Sequence, residues 1–379
     1  MISFELTEEQ KQMQETAHKF SETEMRPNEN YRKCEESQSV PAEMAKGYGE
    51  NAFGLISLPE DVGGLGQDLV TRAIVEEELC WGDAGISLAL DRAGVGGPAI
   101  CALASADQRK KLLGDFGSSN KTIAWCLSED DIASDTHASL STKASGGKIT
   151  GKKRWVLNAP DASLFVVAAR VSDEAGWAGV KLFAVEKGAA GLKISDPDKR
   201  LGVLTAKSAT VEFDNTPATE LAGAEKPAEA LQKVLNTARV LTAARLVGIA
   251  RASAEYATSY AMQRPAFGKM IGQFQSIAFM IADAHTEVNS ARWMAWRAAR
   301  AVDANGKDAT KDSCLALVHA ADVAVRICTD GVQVLGGAGF IQDYPVEKWL
   351  RDARQLSLYC GAEALHTALA ADQTLGVAA

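Results

Sequence analysis

Residues 333–363 read QVLGGAGFIQDYPVEKWLRDARQLSLYCGAE, from Gln333 to Glu363. The stretch opens on a glycine turn, Gly336-Gly337-Ala338-Gly339, runs through Arg351-Asp352-Ala353-Arg354 and closes on Tyr359-Cys360-Gly361. Glycines let a backbone come close to a ligand or to another chain. Ahead of it lie three long segments rich in Ala, Leu and Arg, 228–263, 274–302 and 311–335, separated by short breaks. Long helices joined this way read as an antiparallel bundle.

Further back, 121–217 changes period. Segments 122–127, 164–169, 181–185 and 209–213 are short, rich in β-formers and bounded by Gly, Asp and Ser, so an all-β insertion separates two helical parts. The N-terminal part starts a helix at Thr7, an N-cap with Gln10 three residues on, followed by Met13, Ala17 and Phe20 at helical spacing. Another helix opens at Pro41, and the glycine-rich loop 60–66 follows it. Leu69 to Trp81 reads as an amphipathic helix whose acidic run, Glu76-Glu77-Glu78, is expected to face solvent. A turn at 82–85 then leads to an apolar run that ends in the charged pair Asp91-Arg92.

The whole is an α+β chain with expected domains 1–120 (helical), 121–226 (β) and 227–379 (helical bundle). Its 379 residues suffice for two or three cores, and 46% hydrophobic with 23% charged residues is an ordinary globular balance. A net charge of −9 gives no basic footprint for nucleic acid or an anionic membrane. Seven cysteines, odd in number and without CxxC pairing, fit reduced thiols and a cytoplasmic protein. Five histidines, none at HxxxH spacing, suggest no metal site. The N-terminus lacks the pattern of a signal peptide, and no 18-residue uncharged apolar run suggests a membrane span.

Five segments together resemble the acyl-CoA dehydrogenase family. They are 60–66, similar to PExYGGxG; 127–135 (LSEDDIASD), similar to LTEPxAGSD; 151–158 (GKKRWVLN), similar to GxKxWITN; Arg264 to Gln275, similar to RxxFGxxIxxFQ; and the opening stretch, similar to QVLGGxGY…PVER…RDAR…IYEGT. The resemblance implies an N-terminal helical domain, a middle β-barrel-like domain and a C-terminal antiparallel four-helix bundle. It also implies FAD, an acyl-CoA substrate, an electron-transferring flavoprotein as partner and a homotetramer. On the matching positions, Leu127, Ser128, Trp155 and Leu157 would face the flavin. Arg264, Phe267, Gln275, Gln333, Gly336 and Gly337 would reach FAD across subunits, and Ser134, Arg239 and Gly361 would contact the thioester. Asp130 stands in place of the family's proline, Ala133 of its glycine, and Leu157 of the usual threonine.

The departure that matters most is the base. The family's glutamate falls at Cys360, and the alternative site used by a minority of members falls at Ala238, so neither position holds a carboxylate. Glu363 lies three residues from Cys360 and points about 60° away on a helix, as a surface or capping residue. Cys360 is either a thiol base, which at an ordinary pKa of about 8.5 needs a cationic neighbour, or a small apolar filler. Its backbone N–H remains available to the thioester oxygen. The remaining candidate for general base is Asp91, which the resemblance puts at the far end of the acyl pocket.

A base there reaches the γ-carbon of an α,β-unsaturated thioester. Cyclohex-1-ene-1-carboxyl-CoA is such a substrate, going by 1,4-elimination to the 1,5-diene, and the chain resembles the cyclohexenecarboxyl-CoA dehydrogenases of anaerobic aromatic metabolism. Other readings are a desulfinase-like enzyme with Arg92 holding an anionic group, an ordinary short- or branched-chain dehydrogenase with a relocated base, and an inactive flavin- or CoA-binding scaffold.

Overall fold

A computed structural model describes residues 5–376. Residues 1–4 and 377–379, the outer ends of the first and last expected domains, lie outside the described residues. The first helix, α1 (Glu8–Phe20), starts at Thr7, which forms a capping box with Gln10. Short helices α2 (Asn30–Ser37) and α3 (Ala42–Glu50) lead to α4 (Leu69–Leu90), and α5 (Gly96–Leu103) and α6 (Ala106–Leu113) complete the helical part. The turn expected at 82–85 is a break inside α4, where Asp83 takes an extended conformation (φ −164°, ψ 125°) and its carboxylate accepts from the Ile86 N–H.

The acidic run 76–78 does not face solvent, because α4 is buried around its circumference. Glu77 pairs with Arg251 at 3.0 Å and Arg292 at 2.8 Å, and Glu78 pairs with Arg251 and with His18 at 2.9 Å. Glu76 joins a separate cluster beside the site. Arginines from distant helices thus neutralise carboxylates that burial alone would make very costly.

The middle part is one curled eight-stranded sheet. Its strands are β1 (Ile123–Cys126), β2 (Lys143–Ser145), β3 (Lys148–Leu157), β4 (Leu164–Arg170), β5 (Val180–Glu186), β6 (Leu192–Ile194), β7 (Ser208–Pro217) and β8 (Thr219–Glu220), with a single turn of helix, α7 (Ser134–His137), between β1 and β2. The sheet order is β6-β7-β3-β2-β4-β5-β8, with β1 parallel to β4. Alternate side chains of β4 and β5 fill two separate cores, one under the N-terminal helices and one within the curl.

The C-terminal part comprises α8 (Pro227–Gln263), α9 (Gln275–Asp303), α10 (Ala309–Leu335), α11 (Val346–Leu356) and α12 (Glu363–Leu375). Its Ala-rich core continues into α4 through Ala73, Cys80 and Ala84, so the site-bearing helix is packed on both sides. Lys348, fully buried, bridges Asp83 at 2.5 Å and Asp352 at 2.6 Å, and Asp352 accepts from the Val203 N–H at 2.6 Å. One lysine thereby ties the α4 break, α11 and the loop before β7 together. No helix among the described residues is long and apolar enough to cross a membrane, and no group of His, Cys, Asp and Glu among them could hold a metal ion.

Candidate active site

Two cavities meet where the three parts join. The larger, about 340 Å³, is walled by Ser128, Ser134, Trp155, Leu157, Tyr359 and Gly361, among others. The smaller, about 40 Å³, has Leu127, Ala238, Arg239, Tyr359 and Cys360 in its walls. Trp155, Leu157, Ser128, Asp135 and Tyr359 belong to both.

The Trp155 indole reaches the cavity because β3 bulges. Pairing of β3 with β7 slips between Lys153 and Val156, and Trp155 takes φ +51°, a left-handed conformation unusual for an aromatic residue. The indole is left 52% exposed at the cavity wall. Bulge and loop are joined directly, as the Arg154 N–H donates to Ser128 O at 2.8 Å.

Glu129, which the sequence reading did not single out, holds that loop. It accepts from Lys153 Nζ at 2.8 Å and from the Ser141 and Thr142 N–H groups. Burial opposes its ionisation, but Lys153 outweighs this and brings its pKa down to about 2. Asp135 was also missed. Its carboxyl accepts from Ser128 at 2.7 Å and Ser134 at 3.1 Å, and burial pushes its pKa up against those bonds. Gly361, at φ +106°, passes so close that an added Cβ would lie 3.1 Å from Asp135 Cβ.

Cys360 is a neutral thiol. Burial raises its pKa to about 11, despite the hydrogen bond to Thr242. The Thr242 hydroxyl donates to Ala238 O at 2.8 Å, which leaves its oxygen to accept from the Cys360 thiol at 3.2 Å. Behind it, His366 is fully buried, and burial followed by the Arg239 charge brings its pKa down to about 4. A neutral imidazole donates Nε2–H to Cys360 O at 2.9 Å and turns Nδ1 toward Cys314. Cys360, in the wall of the smaller cavity, is therefore pinned from behind through its carbonyl.

Arg239 is 1% exposed. Its Nη1 donates to Asn236 Oδ1 at 2.8 Å, while Nη2 has no hydrogen-bond partner among the described residues. An unsatisfied buried donor costs about 1–3 kcal/mol, more where the group is charged.

Asp91 lies in a four-charge cluster. Arg72 bridges Glu76 (3.0 Å) and Asp91 (2.8 Å), and Arg245 bridges the same two carboxylates at 2.8 Å each. Asp91 Oδ1 also accepts from the Gly94 N–H at 3.0 Å. Burial opposes ionisation, yet the two guanidiniums hold its carboxyl below the usual range. Asp91 lines a void of about 10 Å³, whose walls include Val95, Trp125, Leu157 and Tyr359, shared with the smaller cavity.

Arg92 is not in the site. Its guanidinium donates to Ser119 O at 2.5 Å, reaches Asn120 and lies over the Phe116 ring, because the chain reverses direction after Asp91. Arg264, Phe267, Gln275, Gln333, Gly336 and Gly337 lie outside these cavities, and Phe267 is 96% exposed.

The chain matches three family domains in order: Acyl-CoA dehydrogenase, N-terminal domain, over 7–119; middle domain over 124–216; and C-terminal domain over 228–375. It is 30% identical to an acyl-CoA dehydrogenase of Bacillus subtilis (98% of this chain, 99% of that protein). It is 28% identical to a 3-(aryl)acrylate reductase of Clostridium sporogenes (97% and 99%). The solved structure of butyryl-CoA dehydrogenase from Megasphaera elsdenii superposes with a TM-score of 0.87 at 25% identity, covering 99% of this chain and 100% of that one.

Proposed function

The chain belongs to the acyl-CoA dehydrogenase family, and on that premise we propose that it oxidises an alicyclic, α,β-unsaturated CoA thioester, with Asp91 as the proton acceptor. At the family level it is an FAD-dependent oxidoreductase acting on CH–CH groups of acyl-CoA. The residues present suit that cofactor: a half-exposed indole at the wall of a cavity of about 340 Å³ is a stacking surface for a flat ring. In this proposal Leu127, Ser128, Trp155 and Leu157 hold the flavin ring. Arg264, Phe267, Gln275, Gln333, Gly336 and Gly337 serve FAD bound at a neighbouring subunit of a homotetramer. When bound, FAD supplies the two-electron acceptor.

The chemistry assigned to the chain is as follows. The Cys360 N–H donates to the thioester oxygen, and His366 keeps that residue in place. Ala238 and the neutral Cys360 leave the α-carbon without a base, so a saturated thioester keeps its α-proton. In cyclohex-1-ene-1-carboxyl-CoA, a γ C–H bond breaks toward the Asp91 carboxylate, and its electron pair shifts the double bonds. Hydride leaves the ring carbon on the other side of C1, giving the 1,5-diene. Conjugation acidifies the γ-proton, which offsets the low basicity of a carboxylate held by Arg72 and Arg245.

The observation that carries this reading is the pairing of two base positions without carboxylates, Ala238 and Cys360, with an ionised Asp91 at an adjoining wall. The desulfinating alternative gave an anion to Arg92, whose guanidinium lies against Ser119 and Asn120 instead. A cytoplasmic location and an electron-transferring flavoprotein as electron acceptor complete the proposal. Asp91→Asn is expected to bind cyclohexenecarboxyl-CoA within about threefold of the parent and to lose at least about 100-fold in turnover. Full turnover in that variant would remove Asp91 from the chemistry.

A further inference from the structure

Arg239 sits next to Ala238 on α8, and both line the cavity that also holds Cys360. Its charge is felt by Cys360, His366, Cys314 and Asp135, so the guanidinium is embedded among groups that burial holds toward their neutral forms. Nη1 is satisfied by an uncharged amide, and Nη2 by nothing among the described residues. A buried cation in this state favours any anion that reaches it, since a charge-assisted hydrogen bond replaces a desolvated, empty donor.

We propose that the natural acyl group carries a second, anionic substituent close to the thioester-bearing carbon, and that Arg239 binds it in the space beside Ala238 and Cys360. The acyl substrate is then a half-thioester of a dicarboxylic acid or of a comparable anionic acid, and its own anion fills the room that a glutamate side chain at either position would take. This rests on reading the cavity as the thioester pocket. It also gives a charged partner to a buried arginine in a cavity that has no carboxylate at 238 or 360. Arg239 acts here as a specificity-determining residue, and no bond is made or broken at it.

Three CoA thioesters test the proposal on the FAD-loaded enzyme: cyclohex-1-ene-1-carboxyl-CoA, the mono-CoA thioester of cyclohex-1-ene-1,2-dicarboxylate, and the 2-carboxamide analogue of the latter. Dissociation constants are read from the change in the flavin spectrum. The CoA portion is common to all three and cancels in the ratios. The dicarboxylate is expected to bind about 10- to 100-fold tighter than the carboxamide. In Arg239→Met that ratio should fall to near one, and in Arg239→Lys part of it should survive. Should Arg239→Met fail to fold, Ala238→Glu supplies an internal carboxylate to the same guanidinium and is expected to collapse the ratio equally. A ratio near one in the parent enzyme, or an undiminished ratio in Arg239→Met or Ala238→Glu, overturns the proposal. Turnover of the ring thioesters, with and without the 2-carboxylate, is scored separately. A flat binding ratio with normal turnover removes the anion subsite alone, and a high ratio without turnover removes the alicyclic oxidation alone.

Discussion

Returning a carboxylate to position 360 should change which carbon the enzyme deprotonates. In Cys360→Glu the new side chain starts from a backbone that His366 already fixes through Cys360 O at 2.9 Å, so it enters the cavity from a defined point. Thr242 Oγ1 lies 3.2 Å from the present sulfur, and Arg239, whose Nη2 has no partner among the described residues, shares the cavity wall with Cys360, as does Asp135. A hydrogen bond from a charged donor contributes about 1.5–3 kcal/mol, enough to offset much of the cost of burying the carboxylate. The variant is therefore expected to fold with its FAD and a denaturation midpoint close to the parent's. A positioned general base contributes roughly 10²–10⁴ in rate. Anaerobic stopped-flow mixing with butyryl-CoA should then bleach the flavin at least about 100-fold faster than in the parent. A variant that keeps its FAD and binds butyryl-CoA yet bleaches no faster would refute the idea that the α-carbon lies beside residue 360.

Glu76→Gln breaks the same four-charge cluster as Asp91→Asn but leaves the Asp91 carboxylate in place. Both should cost about 3–5 kcal/mol by urea denaturation, while turnover falls far more in Asp91→Asn; equal losses of turnover would make Asp91 a structural residue. His366 predicts an acid limb. Its folded pKa of about 4 lies below the ordinary 6.5, so the unfolded chain binds the proton first. Stability is full above pH 6.5 and drains as pH falls toward 4, by up to roughly 3 kcal/mol. In His366→Gln that segment of the stability–pH curve should flatten, and an unchanged slope would contradict the assignment. Trp155→Ala removes the exposed indole and should lower FAD retained through gel filtration several-fold; full retention would move the ring elsewhere.

The helices and strands were legible because their periods are strong. The capping box at Thr7 and the three long C-terminal helices were expected within a residue or two of where they lie. The electrostatics of α4 were misread, although a signal was present. Successive helical residues turn by about 100°, so Glu76, Glu77 and Glu78 point in three directions and cannot share one solvated face. Their partners lie about 170 or more residues away for Arg245, Arg251 and Arg292, beyond any local pattern. For Arg92, adjacency to Asp91 says nothing about direction where the chain turns out of a helix, and its guanidinium lies against Ser119 and Asn120. Glu129 and Asp135 stood inside a recognised loop, but their weight comes from Lys153 and two serine hydroxyls that only the folded loop brings to them. The Trp155 bulge likewise left no trace in the strand pattern, since a bulge depends on the register against β7.

The central claim is that the missing α-carbon base and the retained Asp91 turn this family site toward a conjugated ring. Its most direct test is the rate of flavin bleaching when the FAD-loaded enzyme is mixed anaerobically with cyclohex-1-ene-1-carboxyl-CoA, with or without a 2-carboxylate, and in parallel with butyryl-CoA. Rapid bleaching by a cyclohexenyl thioester with butyryl-CoA at least about 100-fold slower is the predicted result. Rapid bleaching by butyryl-CoA, or none with either ring, would contradict it.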